Sequence, residues 1–317
     1  MYTLQEERVL IDASSWRERA AVPATAEAVA GTDQLSTANV NSRSSAFGHV
    51  GCVQTAWDDA TFVIQATDAF CDFAANWLTN FLAVIPPSAC HITKVLFVAH
   101  SPQLAALVPI WQEMPLVRER IRLRLWEGGE KEVSTGSLVW NSPEYNALMG
   151  SRPALLTKVL HETGDMIFSD VDIAFQSDPR PWLSPNKSLS TIMDLYNPCA
   201  GFFAVRNDTV GHQLMEGWAK AMGGRARRNQ PSYVETIKKL DPDQVHRLPW
   251  RAFFNGDDYF SRKARRATDF LRKHAVAVHA NYMVGQDTKR DALRNASLWN
   301  PSTELLDGCP PQEEEEA

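Results

Sequence analysis

The feature that most constrains the fold of this chain is an alternation of strand-like and helix-like segments between residues 60 and 172. Each strand-like segment is short and apolar, and each is followed by a segment with apolar residues at helical spacing. The predicted strands are 60–68, 92–100, 120–127 and 165–172, and the predicted helices are 69–85, 102–114 and 142–164, the last broken near Gly150 and Pro153. Apolar strands that alternate with helices are typical of a parallel sheet covered on both faces. The sequence therefore predicts an α/β fold with a mostly parallel, Rossmann-type sheet flanked by helices in a single domain.

The two ends of the chain have a different character. Residues 12 to about 55 are rich in small and polar residues without periodicity, and 312–317 carries a run of glutamates. Such segments are typical of flexible, solvated chain. We expect an N-terminal extension over 1–57 that is partly flexible, a folded domain over 58–300 and an acidic C-terminal tail over 301–317.

Charge, hydropathy and cysteine usage exclude several classes of protein. The net charge is −6 and the pI about 5.8, which does not favour binding to nucleic acid. No apolar run approaches the roughly 18 residues that a membrane span needs, and the first residues do not resemble a signal peptide. We expect a protein that is soluble as given, in the Golgi lumen if an anchor has been removed, or in the cytoplasm. The five cysteines are widely spaced, odd in number and without a C-x-x-C pair, so they predict neither a disulfide framework nor a zinc site.

Polar side chains follow the predicted strands. Thr67 and Asp68 end the first strand, and Asp170 and Asp172 end the fourth, on either side of Val171. Ligands bind at the carboxyl ends of the strands in open α/β sheets. We therefore expect the binding site at this edge, with Thr67 and Asp68 placed to contact a ribose or a base.

The Asp-Val-Asp tripeptide is the strongest chemical signal in the chain. In an extended segment, residues i and i+2 point to the same side, so Asp170 and Asp172 converge while Val171 turns into the core. Two unpaired buried carboxylates would cost several kcal/mol, so a positive charge has to compensate them. Carboxylate oxygens at this spacing suit Mg²⁺ or Mn²⁺. The alternative is that one carboxylate caps the next turn and the other is solvated.

A loop late in the chain carries a second set of candidate residues. His279, Asn281, Gly285 and Lys289 follow the apolar segment that begins at residue 276. An imidazole can complete a Mn²⁺ site, a glycine lets the backbone approach a phosphate, and a lysine neutralises it. A histidine in this position is alternatively a hydrogen-bonded residue of the core.

Taken together, these segments resemble the nucleotide-diphospho-sugar transferase family of retaining glycosyltransferases, which includes plant cell-wall xylosyl- and arabinosyltransferases. The resemblance covers about residues 58–300. Its matching segments are "FVIQATDAFCDFAANWL", "SRPALLTKVLHETGDMIFSDVDIAFQSDPRPWL", "CAGFFAVRNDTVGHQLMEGW", "LPWRAFFNGDDYF" and "VAVHANYMVGQDTKRDALRNASLW". The fold implied is GT-A-like, and the reaction is transfer of a sugar from a nucleotide diphosphate, most simply a UDP-sugar, to a glycan or glycoprotein hydroxyl.

The resemblance also implies roles for individual residues. It places the metal ligands, Mn²⁺ or Mg²⁺ being the ion, at Asp170, Asp172 and His279, and a basic residue at the start of a helix at Arg152. The residues implied to bind the donor are Thr67, Asp68, Arg152, Asp170, Val171, Asn281, Gly285 and Lys289. The catalytic residues implied are Asp170, Asp172 and Gln230, with Asn229 where the family often has an aspartate.

Two other functions fit the same residues. A catalytically silent protein that binds nucleotide sugars could share the fold, because fold does not fix function, and Asn229 favours it. A metal-dependent phosphoesterase could use a pair of aspartates, but usually needs more carboxylates to hold two ions.

Overall fold

Two β-sheets form the centre of the part of the chain that this computed structural model describes, namely residues 55–85, 92–127, 142–223, 229–261 and 269–311. The larger sheet contains β1 (Thr61–Ala66), β2 (Thr93–Ala99), β3 (Ile121–Leu125), β4 (Met166–Asp170), β6 (Leu189–Asp194), β7 (Asn197–Val205) and β8 (Val245–Arg247). The smaller contains β5 (Ile173–Phe175), β9 (Phe253–Phe254) and β10 (Ala277–His279). The helices are α1 (Cys71–Val84), α2 (Pro102–Glu113), α3 (Pro115–Arg118), α4 (Pro143–Thr163), α5 (Thr209–Met222), α6 (Asn229–Ile237), α7 (Gly256–Phe260), α8 (Asp269–Lys273), α9 (Gln286–Asn295) and α10 (Thr303–Leu306).

The larger sheet confirms the predicted α/β class. Its strand order is β3-β2-β1-β4-β7-β6-β8. The strands from β3 to β4 are parallel, β7 runs antiparallel to both of its neighbours, and β8 is parallel to β6. The chain builds β1, β2 and β3 outward and then returns to place β4 on the other side of β1. Ligands bind at such a point of reversal, and Thr67 and Asp170 both lie there.

Alternation along the strands produces two cores, one on each face of the larger sheet. On β1, Phe62 and Ile64 pack with α1 and α2, whereas Val63 packs with α4, α5 and α6. On β4, Met166 and Phe168 face α4 and α5. Since side chains alternate along a strand, Asp170 extends on the same side as Met166 and Phe168. The pattern that fills the core therefore also directs this carboxylate towards α4.

Helix α4 corrects one prediction. The sequence predicted a break near Gly150 and Pro153, but Pro143–Thr163 forms one helix of 21 residues that ends at Gly164 (φ 86°). Proline in a helix interior removes one backbone hydrogen bond. Packing outweighs that loss, because Leu156 and Leu160 are fully buried in the core shared with α5.

The segment after β4 corrects a second prediction. The strand ends at Asp170, and Val171 and Asp172 form a turn before β5 begins. The turn redirects the chain from the larger sheet into the smaller one, where β5 pairs antiparallel with β10. Val171 is buried in the core as predicted. The two carboxylates converge through a turn and not through the pleat of a strand.

The cysteines correct a third prediction. Cys71, at the start of α1, forms a disulfide with Cys309. The spacing of cysteines predicted no disulfide, because a pair separated by 238 positions leaves no local pattern. Cys199 is free and buried.

Both predicted boundaries of the folded domain fall inside ordered structure. Trp57 is buried and donates from Nε1 to Ser184 O at 2.9 Å. After residue 300, Leu305 in α10 is buried and Cys309 is bonded to α1. We therefore propose that the folded domain extends from about residue 55 to Cys309. Residues 1–54 and 312–317, which hold most of the expected extension and the acidic run, lie outside the described residues.

Among the described helices, none combines the length and the apolar character required to cross a bilayer.

Candidate active site

Asp170, Asp172 and His279 meet where the two sheets adjoin. His279 Nε2 lies 3.2 Å from Asp172 Oδ1 and 3.6 Å from Asp170 Oδ2. The strand register explains this, because His279 pairs with Ile173 across β5 and β10, and Ala280 N donates to Asp172 O at 2.9 Å. One ligand atom from each of the three side chains lies within 4.8 Å of the others, a grouping that could hold a metal ion.

Two cations of the chain compensate the carboxylates directly. Arg152 Nη2 lies 2.9 Å from Asp170 Oδ1, and Lys289 Nζ lies 2.6 Å from Asp172 Oδ2. Gln65, with its amide oxygen towards the guanidinium, accepts from Arg152 Nη2 at 2.7 Å and Nε at 2.6 Å. The family resemblance implied that Arg152 lies at the start of a helix, but it lies in the middle of α4. The chain itself thus supplies the positive charge that the sequence led us to expect from a metal.

The pKa values of the site follow from this arrangement. Burial alone would raise the pKa of Asp172, but Lys289 and His279 hold it well below its usual range. Burial raises the pKa of Asp170, and Arg152 offsets only part of that effect. Burial alone would lower the pKa of His279, but Asp172 and then Asp170 raise it above its ordinary value of 6.5. Asp172 is therefore the firmly ionised carboxylate of the pair.

Gly201, which the sequence analysis did not single out, lets two of the candidate ligands lie close to the backbone of β7. A Cβ at Gly201 would lie 2.7 Å from Asp170 Oδ2 and 3.0 Å from His279 Nε2, and closer still to His279 Cε1. Any side chain here would displace the two ligands. The glycine in the aromatic run "CAGFF" was the only sequence signal for it.

A bulge in the larger sheet places Gly201 at the site. The register of β6 against β7 shifts between Thr191 and Met193, so that residues 199–202 oppose Ile192 alone. Bulges re-aim side chains and are frequent beside active sites. This bulge brings both Gly201 and Cys199 against His279.

The predicted nucleotide-binding residues at the end of β1 are also buried. Thr67 and Asp68 are 5% and 4% exposed. Asp68 Oδ1 accepts from Ser101 Oγ and from Leu104 N, the latter at 3.0 Å, so it caps α2. That oxygen is committed to the fold, and the other oxygen is the one to consider for a ribose or a base.

Asp194, at the end of β6, joins two of the predicted site residues. Asn281 Nδ2 donates to its Oδ1 and Gln230 Nε2 donates to its Oδ2, both at 2.8 Å. Gln230 Oε1 also accepts from Ala200 N at 3.4 Å. The backbone oxygen of Asn229, the preceding residue, accepts a hydrogen bond from Trp218 Nε1 at 3.3 Å. Both polar ends of the Gln230 amide are therefore engaged within the fold.

Tyr145 and Gly285 complete the surroundings of the carboxylates. Tyr145 lies near the start of α4. Burial raises the pKa of Tyr145 above its ordinary value, while Arg152 lowers it and Asp170 raises it further. Gly285 has φ 89° and directly precedes α9, the helix that carries Lys289. A positive φ at this point favours glycine. Sequence reasoning found Gly285 and missed Tyr145, for which no motif exists.

A second cluster of histidine and carboxylate side chains lies on the surface, between α4 and α5. It consists of His161, His212 and Glu216, whose ligand atoms also lie within 4.8 Å of one another. The two imidazole rings stack at 4.3 Å between centroids, with 23° between their planes. His212 Nε2 donates to Asn207 Oδ1 at 2.7 Å.

Comparison with known proteins identifies the family to which the chain is similar. Residues 93–293 match the family described as nucleotide-diphospho-sugar transferase. The chain is 25% identical over 181 residues to UDP-D-xylose:L-fucose alpha-1,3-D-xylosyltransferase 3 of Arabidopsis thaliana, an alignment that covers 48% of this chain and 47% of the relative. This chain thus matches about half the length of that curated relative.

Among solved structures, the chain is similar to a galactosyltransferase, LgtC, in complex with donor and acceptor sugar analogues. The TM-score is 0.50 at 11% identity, over 79% of this chain and 100% of the other. At that identity the likeness concerns the fold alone, and it confirms the GT-A-like architecture expected from the resemblance.

Proposed function

This chain belongs to the nucleotide-diphospho-sugar transferase family, and on that premise we propose that it is a metal-dependent glycosyltransferase. It would transfer a sugar from a UDP-sugar to a hydroxyl of a glycan or glycoprotein, with retention of the anomeric configuration. One observation carries the proposal: Asp170, Asp172 and His279 converge beside Gly201, at the point where the strand order reverses. The name of the plant relative, a UDP-D-xylose-dependent transferase, supports a UDP-sugar as the donor.

The residues present suit a divalent cation. Two carboxylates and one imidazole form a ligand set that Mn²⁺ accepts at least as well as Mg²⁺, since Mg²⁺ prefers oxygen ligands. A Cβ at position 201 would collide with both Asp170 and His279, so the positions of these two ligands depend on the glycine. When bound, the ion would act as a Lewis acid on the diphosphate of the leaving nucleotide.

The remaining charged side chains have distinct proposed roles. Arg152 is held by Asp170 and Gln65, so we assign it to fixing the first carboxylate in place. Lys289 sits on the first turn of α9 with its Nζ 2.6 Å from Asp172 Oδ2, so we assign it to neutralising charge on a departing phosphate beside that carboxylate. Gln230 is tied to Asp194, and we assign it to shaping the site beneath the sugar and not to nucleophilic attack.

A donor-hydrolysis assay tests this function, because glycosyltransferases slowly hydrolyse their own donor. Purified protein would be incubated with a panel of UDP- and GDP-sugars with Mn²⁺, and then with excess EDTA. We expect slow, selective release of UDP from one UDP-sugar, and its loss with EDTA. Unselective cleavage of every nucleotide sugar would indicate a phosphoesterase, and absence of release alongside UDP binding would indicate a silent binding protein.

Thermal shift measures nucleotide preference separately. A ligand that binds only the native state raises the melting temperature by mass action. We expect UDP with Mn²⁺ to raise it more than GDP or CDP does at the same concentration. A larger shift with GDP would reassign the donor.

The disulfide supports a proposal for the compartment in which the protein is found. Disulfides persist in oxidising compartments and are rare in the cytosol. Of the two compartments expected from the sequence, we propose the Golgi lumen, because Cys71 and Cys309 are bonded. Acid-trapped protein from its own cells, alkylated before digestion, should yield the Cys71–Cys309 peptide pair intact. Full alkylation of both thiols would assign the protein to the cytoplasm.

A further inference from the structure

Cys199 is a buried free thiol that the proposed reaction does not use. Its Sγ lies 3.7 Å from His279 Nδ1, on the side of the ring opposite the two carboxylates. Gly201 N donates to the same sulphur at 3.4 Å. Burial raises the pKa of the Cys199 thiol, and the nearby Asp194 raises it further, so the sulphur stays protonated. The sulphur is thus the group that faces the second nitrogen of the candidate metal ligand.

The backbone that carries this sulphur is held from two directions. Thr191 Oγ1 donates to Cys199 O at 3.3 Å, and Tyr233 Oη lies 3.3 Å from Thr191 Oγ1. All three residues are almost completely buried. Cys199 also lies in the bulged stretch 199–202, which fixes the direction of its side chain. The sulphur therefore has little freedom to move away from the ring.

The two nitrogens of an imidazole are not equivalent, and the hydrogen bond of one decides what the other can do. Histidines that bind metals generally donate their second N–H to a carboxylate, a carbonyl or water, and loss of that partner weakens metal binding. Within the part of the chain that the structure describes, the polar group that faces Nδ1 of His279 is the Cys199 sulphur. The partner of the second imidazole nitrogen is therefore a thiol in this protein, whereas most metal-binding histidines have an oxygen in that position.

We propose that Cys199 is a positioning residue: its sulphur accepts the Nδ1 proton of His279, and so directs Nε2 towards Asp170 and Asp172. This inference rests on the proposed function, since it assigns a purpose to the orientation of a proposed metal ligand.

Two variants separate this role from simple packing. Cys199→Ala removes the acceptor, whereas Cys199→Ser keeps an acceptor of similar size. The first measurement is the Kd of Mn²⁺ from electron paramagnetic resonance of the free ion, without any sugar nucleotide. We expect Cys199→Ala to raise this Kd about tenfold and Cys199→Ser to recover most of the loss, at melting temperatures close to that of the wild type.

The second measurement needs no metal. Nitrogen-15 NMR of selectively labelled histidine, at a pH that deprotonates the ring, reports which nitrogen of His279 carries the proton. We expect the Nδ1–H form in the wild type and in Cys199→Ser, and a mixture of both forms in Cys199→Ala. The signals of His161 and His212 serve as internal controls that should not change.

The outcomes distinguish the two proposals. If the wild type binds no Mn²⁺, the proposed function fails, while the tautomer of His279 still decides the role of Cys199. An unchanged Kd and tautomer in Cys199→Ala would overturn the inference. So would equal losses of metal binding in the alanine and serine variants, because both would then reflect packing.

Discussion

Two clusters in this molecule present histidine and carboxylate atoms within the same 4.8 Å limit, yet their surroundings differ. The inner cluster, Asp170, Asp172 and His279, is held by an arginine, a lysine and a sheet register. The surface cluster, His161, His212 and Glu216, is mostly exposed, with its two rings stacked. A metal ion bound by an imidazole lies in the plane of that ring. The planes of the stacked rings are nearly parallel, so one ion cannot lie in both planes close to the two rings. The comparison teaches that a ligand set becomes a site only when the surrounding structure fixes its orientation.

The largest expected effect comes from removing the firmly ionised carboxylate of the inner cluster. Asp172→Asn should lose metal-dependent donor binding and at least about a hundredfold in turnover, because it removes a ligand charge that stabilises the transition state. Glu216→Gln makes the same chemical change in the surface cluster and should retain wild-type turnover. Donor hydrolysis measured over a range of Mn²⁺ concentrations checks both, and near-normal turnover in Asp172→Asn would remove the distinction between the clusters.

A second prediction introduces a steric clash and removes no ligand. Gly201→Ala would set a methyl group 2.7 Å from Asp170 Oδ2, so the ligands must separate. We expect Mn²⁺ affinity to fall by about tenfold or more, comparable to the loss of an orienting contact. Gly150→Ala is the matched control, because a Cβ there would meet only Met222 Cε at 3.7 Å. Unaltered Mn²⁺ affinity in Gly201→Ala would show that the close approach of Gly201 to Asp170 and His279 is not needed for metal binding.

A third prediction concerns pH. Asp172 raises the pKa of His279 in the metal-free protein, so this ion pair contributes stability that is complete below about pH 6.5 and is lost as the pH rises through the raised value. Metal binding needs the neutral ring, so Mn²⁺ affinity should rise over that same interval, by up to about tenfold per pH unit. In His279→Ala both trends should disappear. Calorimetric melting in the presence of a chelator measures the stability, and Mn²⁺ titrations at the same pH values measure the affinity. If the wild type and His279→Ala showed the same pH dependence, His279 would not be the group responsible.

The smallest effect is expected on the surface. The double variant His161→Ala and His212→Ala should leave the Mn²⁺ requirement and turnover unchanged. It removes one stacked pair between α4 and α5, where the buried leucines and tryptophan supply most of the packing. A melting-temperature shift of a few degrees at most is expected, in line with surface substitutions. A marked rise in the Mn²⁺ concentration needed for turnover would show that the stacked cluster is also a working site.

Local pattern was sufficient to predict the strands and ligands that depend on neighbouring residues. Strands β1 to β4 lie within two residues of their predicted bounds, because each is an apolar run between polar ends. The convergence of Asp170 and Asp172 was predicted for the wrong reason, since a turn produces it. Where contacts join distant parts of the chain, the sequence carried no signal. The bulge at 199–202 depends on the pairing of β6 with β7. Arg152 reaches Asp170 because α4 packs on the face of the sheet towards which Asp170 extends.

The disulfide between Cys71 and Cys309 has a consequence for biosynthesis. During synthesis Cys71 emerges 238 residues ahead of its partner, and the sequence places Cys90 and Cys199 between them. An early oxidation could therefore join Cys71 only to a wrong sulphur, and one of those, Cys199, lies behind His279. Burial of Cys199 within the bulge of β7 removes that thiol from competition once the sheet has formed. We therefore expect the sheet to fold before the Cys71–Cys309 bond closes, because folding is what buries Cys199 and brings Cys309 next to Cys71.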